Sequence, residues 1–168
     1  MKNEFTLTIY SEDQIRLITK LSSMFIRKQI NILSLNMSIC EIDKMYRHTI
    51  VVNETLDQVI NLTAQIEKII EVFKCYYSWN EEIVSSQTAL FKISTDIFMA
   101  DEKMGFLIRE NDLKILEIQK DYTILETTGT DEKIESLTEK FNQFGLIEFV
   151  KSSKIALIKC SEGFCAEI

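Results

Sequence analysis

The residues that could perform chemistry are few in this sequence of 168 residues. His48 is the only histidine, so any acid–base scheme that needs an imidazole depends on this one side chain. It follows Arg47 at the beginning of a strand-like run, where we expect a strand-end residue at the surface or at an interface. Dinucleotide, Walker, zinc-protease and Gly-flanked serine motifs are absent from the sequence. We therefore predict no catalytic residue and no enzymatic activity of the chain itself.

Four cysteines are the next candidates for chemistry: Cys40, Cys75, Cys160 and Cys165. The first two fall in strand-like runs, where a reduced thiol behaves as a small buried apolar side chain. Four residues separate Cys160 from Cys165 and no histidine lies nearby, which disfavours a shared metal ion. We predict reduced thiols and no metal site.

The charge is distributed unevenly along the chain. Residues 1–80 hold nine basic and nine acidic residues, so the net charge of −7 comes entirely from residues 81–168. A nucleic-acid partner is disfavoured, because phosphate binding requires clustered lysine and arginine in excess. The N-terminus lacks an apolar signal core and no apolar run is long enough to span a bilayer, so we expect a cytoplasmic protein without membrane contact.

In the first half of the sequence, alternating strands and helices are predicted to position any functional residues. Period-two and helical spacings of apolar residues predict the order βαββαβ, with strands at 5–10, 32–42, 48–52 and 72–77 and helices at 11–29 and from Thr55 onwards. Ser11 with Gln14, and Thr55 with Gln58, have the spacing of a capping box. Alternation along 32–42 predicts one covered face, and the second helix is expected to bury an apolar set: Leu56, Val59, Ile60, Thr63, Ile66, Ile69 and Ile70.

The second half repeats this order after a polar stretch at 78–86. Strands are predicted at 88–93, 113–119, 122–128, 147–151 and 155–158, and helices at 101–110 and 131–144, the latter capped by Thr130 or Asp131 and stopped by Gly145. The prediction is an α+β fold with two ferredoxin-like βαββαβ domains in tandem, at residues 1–80 and 81–168. Such units leave sheet edges available, which favours a symmetric dimer.

One segment carries a family resemblance. The run Phe25–Leu35, FIRKQINILSL, resembles the F-x-R-R-x-x-N-I-x-S-L signature of acetolactate synthase small subunits. Further similar segments follow in order at His48–Val52, Gln65–Lys74, Ala89–Ile93 and Phe144–Glu148, so that the resemblance covers nearly the whole chain. It implies an N-terminal ACT domain, a homodimer formed through the ACT domains, and a regulatory subunit without a cofactor of its own.

The resemblance also implies a partner and an effector. The large catalytic subunit of this family carries thiamine diphosphate, Mg²⁺ and FAD and condenses two 2-oxo acids in branched-chain amino-acid biosynthesis. The small subunit activates it and confers feedback inhibition by valine. Valine is held between two ACT domains by the loop after the first strand and by an asparagine at the following helix-to-strand turn. The corresponding positions here are Asp13, Gln14, Ile15, Arg16 and Leu17 in the loop, and Asn31 and Ile32 at the turn.

Two of these positions depart from the family pattern. Asp13 stands where the family has asparagine, and Arg16 stands where it has glycine. A missing side chain permits close approach of a ligand carboxylate to backbone N–H groups, and Arg16 would crowd that space. Asp13 and Glu12 add negative charge where the carboxylate would sit. We therefore predict weak or absent valine binding.

Two alternative functions remain open. The chain could be a free-standing amino-acid-sensing ACT protein whose partner is a different protein, which co-purification would decide. It could also be an enzyme in its own right, which the thin inventory of acid–base residues disfavours.

Overall fold

The computed structural model describes residues 1–12, 14–40, 44–100 and 102–160. The predicted site residue Asp13 and the cysteine Cys165 lie outside the described residues. The elements of the first half are β1 (Asn3–Ser11), α1 (Gln14–Lys28), β2 (Ile32–Ile39), β3 (Tyr46–Glu54), α2 (Leu56–Ile66) and β4 (Val72–Trp79).

The second half follows after a single 3₁₀ turn at Asn80–Glu82. Its elements are β5 (Ile83–Ser94), α3 (Thr95–Ala100), α4 (Glu102–Glu110), β6 (Lys114–Ile118), β7 (Tyr122–Gly129), α5 (Asp131–Gln143), β8 (Leu146–Lys151) and β9 (Ile155–Ile158). The α+β class and the doubled βαββαβ order are confirmed. The polar linker predicted at 78–86 is wrong, since β4 and β5 take up most of it, and α3 was not predicted.

The two sheets have the same topology. The first has the strand order β2-β3-β1-β4 and the second β6-β7-β5-β8, with antiparallel neighbours throughout and β9 pairing with β5. The chain divides into two compact units, residues 1–84 with 154–160 and residues 85–153. Residues 154–160, which include β9, fall in the first of these units. The boundary between independently folding domains at residue 80 stays a prediction.

The core of the first unit lies between its sheet and the helices α1 and α2. β1 contributes Phe5, Leu7 and Ile9, all fully buried, because alternate residues of a strand point to one face. α2 buries a narrower stripe than its sequence suggests: Val59, Leu62, Thr63 and Ile66. The predicted burial of Leu56, Ile60 and Ile70 is wrong, since these are 38%, 42% and 96% exposed. The apolar pattern of this helix is wider than the face the sheet covers.

The predicted caps are confirmed at the ends of α5 but only in part at the start of α2. Thr130 caps α5 by accepting a hydrogen bond from the Lys133 N–H, and Gly145 follows the helix at a φ of 72°. Both expectations are confirmed. Thr55 occupies the N-cap position of α2, but its side chain makes no capping hydrogen bond.

The end of α1 is unusual in its residue type. Gln29 adopts a left-handed φ of 54°, and the Ile30 N–H donates to the Phe25 carbonyl at 3.0 Å. This is the closing geometry that glycine normally provides.

No helix among the described residues is long and apolar enough to cross a membrane.

Candidate effector site

The first group of predicted site residues lies where α1 begins. β1 ends at Ser11 and α1 starts at Gln14, so the backbone of Gln14 and Ile15 forms the first helical turn. The Glu12 N–H donates to the Glu71 carbonyl at 3.0 Å, which fastens the loop beside the start of β4. Arg16 is exposed, whereas Leu17 is fully buried in the core. Of these residues, Arg16 is therefore exposed at the surface and Leu17 packs in the core.

The second group lies beyond the other end of α1. Asn31 and Ile32 are exposed and border an open depression of about 350 Å³. Its remaining lining comes from the last turns of α1 and the residues that end it: Ser22, Phe25, Ile26, Gln29 and Ile30. The left-handed turn at Gln29 directs the chain from the helix into β2 and so places Asn31 at the rim.

The structure does not bring the two groups together within one chain. α1 has 15 residues and is therefore about 22 Å long, since an α-helix rises 1.5 Å per residue. The sheet register agrees, because Ser11 lies opposite Tyr46 at one end of β3 and Ile32 lies opposite Val52 at the other. A site that uses both groups requires two copies of the chain.

β2 presents apolar side chains to solvent. Leu33, Leu35 and Ile39 are 57%, 42% and 76% exposed, and β2 is an edge strand of its sheet. The expectation that one face of this strand is covered is therefore wrong. Leu35 lies opposite the buried Ile50, so it points to the helix-bearing face, but the helices do not cover the edge. Such an edge is a template for pairing with another chain.

His48 is buried, which corrects the expectation of a strand end at the surface. It is fully buried within β3, lies opposite Ile9, and its Nε2 is 2.9 Å from the Ser11 hydroxyl oxygen. Its Nδ1 has no hydrogen-bond partner among the described residues. Burial lowers the pKa of His48 from 6.5 to about 4, so the imidazole is neutral at physiological pH.

The buried position of Ser11 could have been found from the sequence, although its partner His48 could not. Ser11 continues the alternation of Phe5, Leu7 and Ile9, so it falls on the buried side of β1 and needs a polar partner there. The predicted cap at Ser11 stays a prediction, because the described contact of its hydroxyl is the one with His48.

The described residues hold no group of three or more His, Cys, Asp and Glu side chains that could bind a metal ion. Cys75 is buried, and burial raises the pKa of its thiol to about 12, so it is protonated and unreactive. Cys40 is partly buried and Cys160 is exposed.

Comparison with known proteins agrees with this architecture. Residues 86–160 match the family described as the small subunit of acetolactate synthase. The acetolactate synthase small subunit of Mycolicibacterium smegmatis is 29% identical over 164 residues, covering 96% of this chain and 94% of that protein. The Bacillus subtilis small subunit is 27% identical over 160 residues, with 95% and 91% covered.

A solved structure shows the same fold. The crystal structure of the acetolactate synthase small subunit from Thermotoga maritima superimposes with a TM-score of 0.83 at 21% identity and covers 95% of this chain and 99% of that one. The resemblance read from the sequence is confirmed: over nearly its whole length this chain is similar to acetolactate synthase small subunits, and its residues 86–160 match the model of that family.

Proposed function

We propose that this chain is the regulatory subunit of an acetolactate synthase, which binds and activates a thiamine-dependent catalytic subunit in branched-chain amino-acid biosynthesis. The observation that carries the proposal is similarity along nearly the whole chain: 96% of it aligns with a named small subunit, across both βαββαβ units. A free-standing ACT protein would need only the first unit for sensing.

The chain contributes no catalytic group in this proposal. His48, the only imidazole, is fully buried and neutral, so it cannot reach a substrate in solution. The buried Cys75 thiol is equally remote from solvent. The thiamine diphosphate, Mg²⁺ and FAD that the chemistry needs belong to the catalytic partner, and this chain carries no cofactor.

The subunit acts as a homodimer joined through the edge of its first sheet. Two features support this. The exposed apolar side chains of β2 need a cover, and an edge strand pairs most simply with the same strand of a second copy. The two groups of effector-site residues, at opposite ends of α1, can also meet only across two copies.

Valine feedback is weakened in this chain. The depression beside Asn31 supplies one half of an effector site, as the family resemblance implies. The other half contains Arg16 in place of glycine and Asp13 in place of asparagine. The chain therefore keeps its activating role and responds little to valine.

Reconstitution tests the proposal directly. The purified chain is mixed with the acetolactate synthase large subunit from the same genome, and acetolactate formation is recorded with and without valine. We expect at least a severalfold rise in rate on adding the chain and little inhibition by valine. The heat-denatured chain is the control for non-specific protein effects.

Two outcomes would overturn the proposal. Unchanged activity together with no co-purification of the two proteins would leave the free-standing amino-acid sensor as the better explanation. Acetolactate formation by the chain alone would show that it is an enzyme after all.

A further inference from the structure

The end of β1 is the point where the buried polar pair of the first unit meets the predicted effector loop, residues 12–17. Ser11 is the last residue of β1 and is fully buried, and the loop follows it directly. The ladder between β1 and β3 continues to Ser11, which lies opposite Tyr46. Against β4, by contrast, the register of β1 shifts between Tyr10 and Ser11. The backbone therefore holds this strand end regularly on one side only.

His48 supplies a side-chain anchor for the same strand end. It lies on β3 opposite Ile9, two residues from the partner of Ser11, so its ring reaches Ser11 diagonally across the two strands. The distance from His48 Nε2 to the Ser11 hydroxyl oxygen is 2.9 Å, and neither residue is exposed. Because a buried group cannot exchange its partner for water, loss of this hydrogen bond is costly.

The other ring nitrogen indicates the direction of this hydrogen bond. Nδ1 of His48 has no hydrogen-bond partner among the described residues. A buried N–H without an acceptor is rarer than a buried acceptor without a donor, so the proton belongs on Nε2. His48 then donates and the Ser11 hydroxyl oxygen accepts. A glutamine side chain also carries N–H donors at its end and can replace the imidazole in this role.

A second anchor of the loop, on the side of β4, lies at the surface. The Glu12 N–H donates to the Glu71 carbonyl at 3.0 Å, and the Glu71 carboxylate pairs with the Lys20 ammonium at 2.6 Å. The Lys20 side chain is 45% exposed, so this ion pair is hydrated and screened by salt. The buried hydrogen bond of Ser11 with His48 is therefore the stronger side-chain restraint.

We propose that His48 is a positioning residue for the effector loop: through Ser11 it fixes where β1 ends, and therefore where the loop and the first turn of α1 begin. The inference rests on the proposed function in taking residues 12–17 as part of an effector site. The restraint itself acts on the loop with or without a ligand. A pair with a purely structural role would instead stabilise the whole first unit evenly.

Hydrogen–deuterium exchange of the full-length chain, read by mass spectrometry, tests the proposal. The readout is the Glu12 amide together with the amides of residues 18–21, which hydrogen-bond within α1. Ser11→Ala and His48→Met each leave one buried partner unpaired, and we expect these amides to exchange about tenfold faster. Both single variants also lose global stability, so a further variant is needed to separate positioning from stability.

The double variant Ser11→Ala, His48→Met makes this separation. Removing both partners leaves no unpaired polar group, so the urea midpoint should return towards that of the original chain. We expect exchange at residues 12 and 18–21 to stay fast, because the anchor is still missing. His48→Gln keeps a donor for Ser11 and should restore slow exchange. If His48→Met does not fold, Ser11→Ala and His48→Gln provide the same contrast.

Glu54→Gln is the matched control. Glu54 is buried at the other end of β3, opposite Asn3, and its Oε1 accepts a hydrogen bond from Lys2 Nζ at 2.8 Å. We expect residues 12 and 18–21 to exchange in this variant as in the original chain.

Two results would overturn the proposal. One is slow exchange beside the loop in the double variant, and the other is an equal rise in all segments of the first unit in the single variants. No effector or catalytic subunit is added, so the outcome is independent of the reconstitution that tests the proposed function.

Discussion

At the scale of single residues, the burial of His48 contributes to how the first unit responds to acid. The pKa of His48 is lowered to about 4 in the folded chain, below the 6.5 of a solvated histidine. Between these two pKa values, His48 is protonated in the unfolded chain and neutral in the folded chain. Stability from this source is complete above about pH 7 and is lost as the pH falls through 6.5 towards 4.

We expect the free energy of unfolding to fall by about 1–2 kcal/mol between pH 7 and pH 5 because of this one group. Urea unfolding at the two pH values measures it. His48→Met is the control, because it keeps the volume and removes the proton site, so its stability should change less over the same interval. An equal change in both proteins would show that other groups cause the acid sensitivity.

Gln29 carries a second residue-scale prediction. Its left-handed φ of 54° is costly for a residue with a Cβ and free for glycine. Gln29→Gly should therefore raise the free energy of unfolding by about 1 kcal/mol, seen as a higher urea midpoint with an unchanged slope. Gln29→Ala keeps the strain and should not stabilise the chain. A less stable glycine variant would mean that the Gln29 side chain makes contacts that matter more than the backbone.

At the scale of elements, most of the strands and helices follow from the period of their apolar residues. The order βαββαβ, the Thr130 cap and the Gly145 stop could be predicted because each depends on neighbours in sequence. The exposure of Leu35 and the burial of His48 could not, because both depend on the sheet order. An alternating strand looks the same in sequence whether it lies at the centre or at the edge of a sheet.

The exposed β2 edge gives the element-scale prediction. Leu33→Lys and Leu35→Lys place a charge in the proposed dimer interface, where its desolvation is unfavourable. We expect sedimentation velocity to show a dimer for the original chain. For each variant we expect the dissociation constant of the dimer to rise about hundredfold. Ile118→Lys is the matched control, since Ile118 is 53% exposed on β6, the corresponding edge strand of the second sheet.

The control separates this edge from exposed apolar residues in general. Ile118→Lys should remain dimeric. If both β2 variants remain dimers, or if only Ile118→Lys dissociates, the dimer interface does not lie at β2.

At the scale of the whole molecule, the proposed effector site uses residues of two chains. The family resemblance implies a site between two ACT domains, and the length of α1 agrees, because a helix of 15 residues keeps Asn31 and the loop apart within one chain. This has a consequence for valine binding. Any substitution that separates the two copies should abolish the valine binding that a loop variant gains, even when every residue named in the site is intact.

Isothermal titration of the full-length chain with valine tests this together with the effect of the two unusual loop residues. We expect no saturable binding at millimolar valine by the original chain, because Arg16 crowds the carboxylate position and Asp13 repels it. The double variant Asp13→Asn, Arg16→Gly should bind valine at least about tenfold more tightly, which is about 1.4 kcal/mol. Adding Asn31→Ala to the double variant, or Leu35→Lys in the proposed dimer interface, should remove that gain. Saturable binding by the original chain that is lost on Asn31→Ala would contradict the prediction, since valine would then tolerate Arg16 and Asp13 in its site.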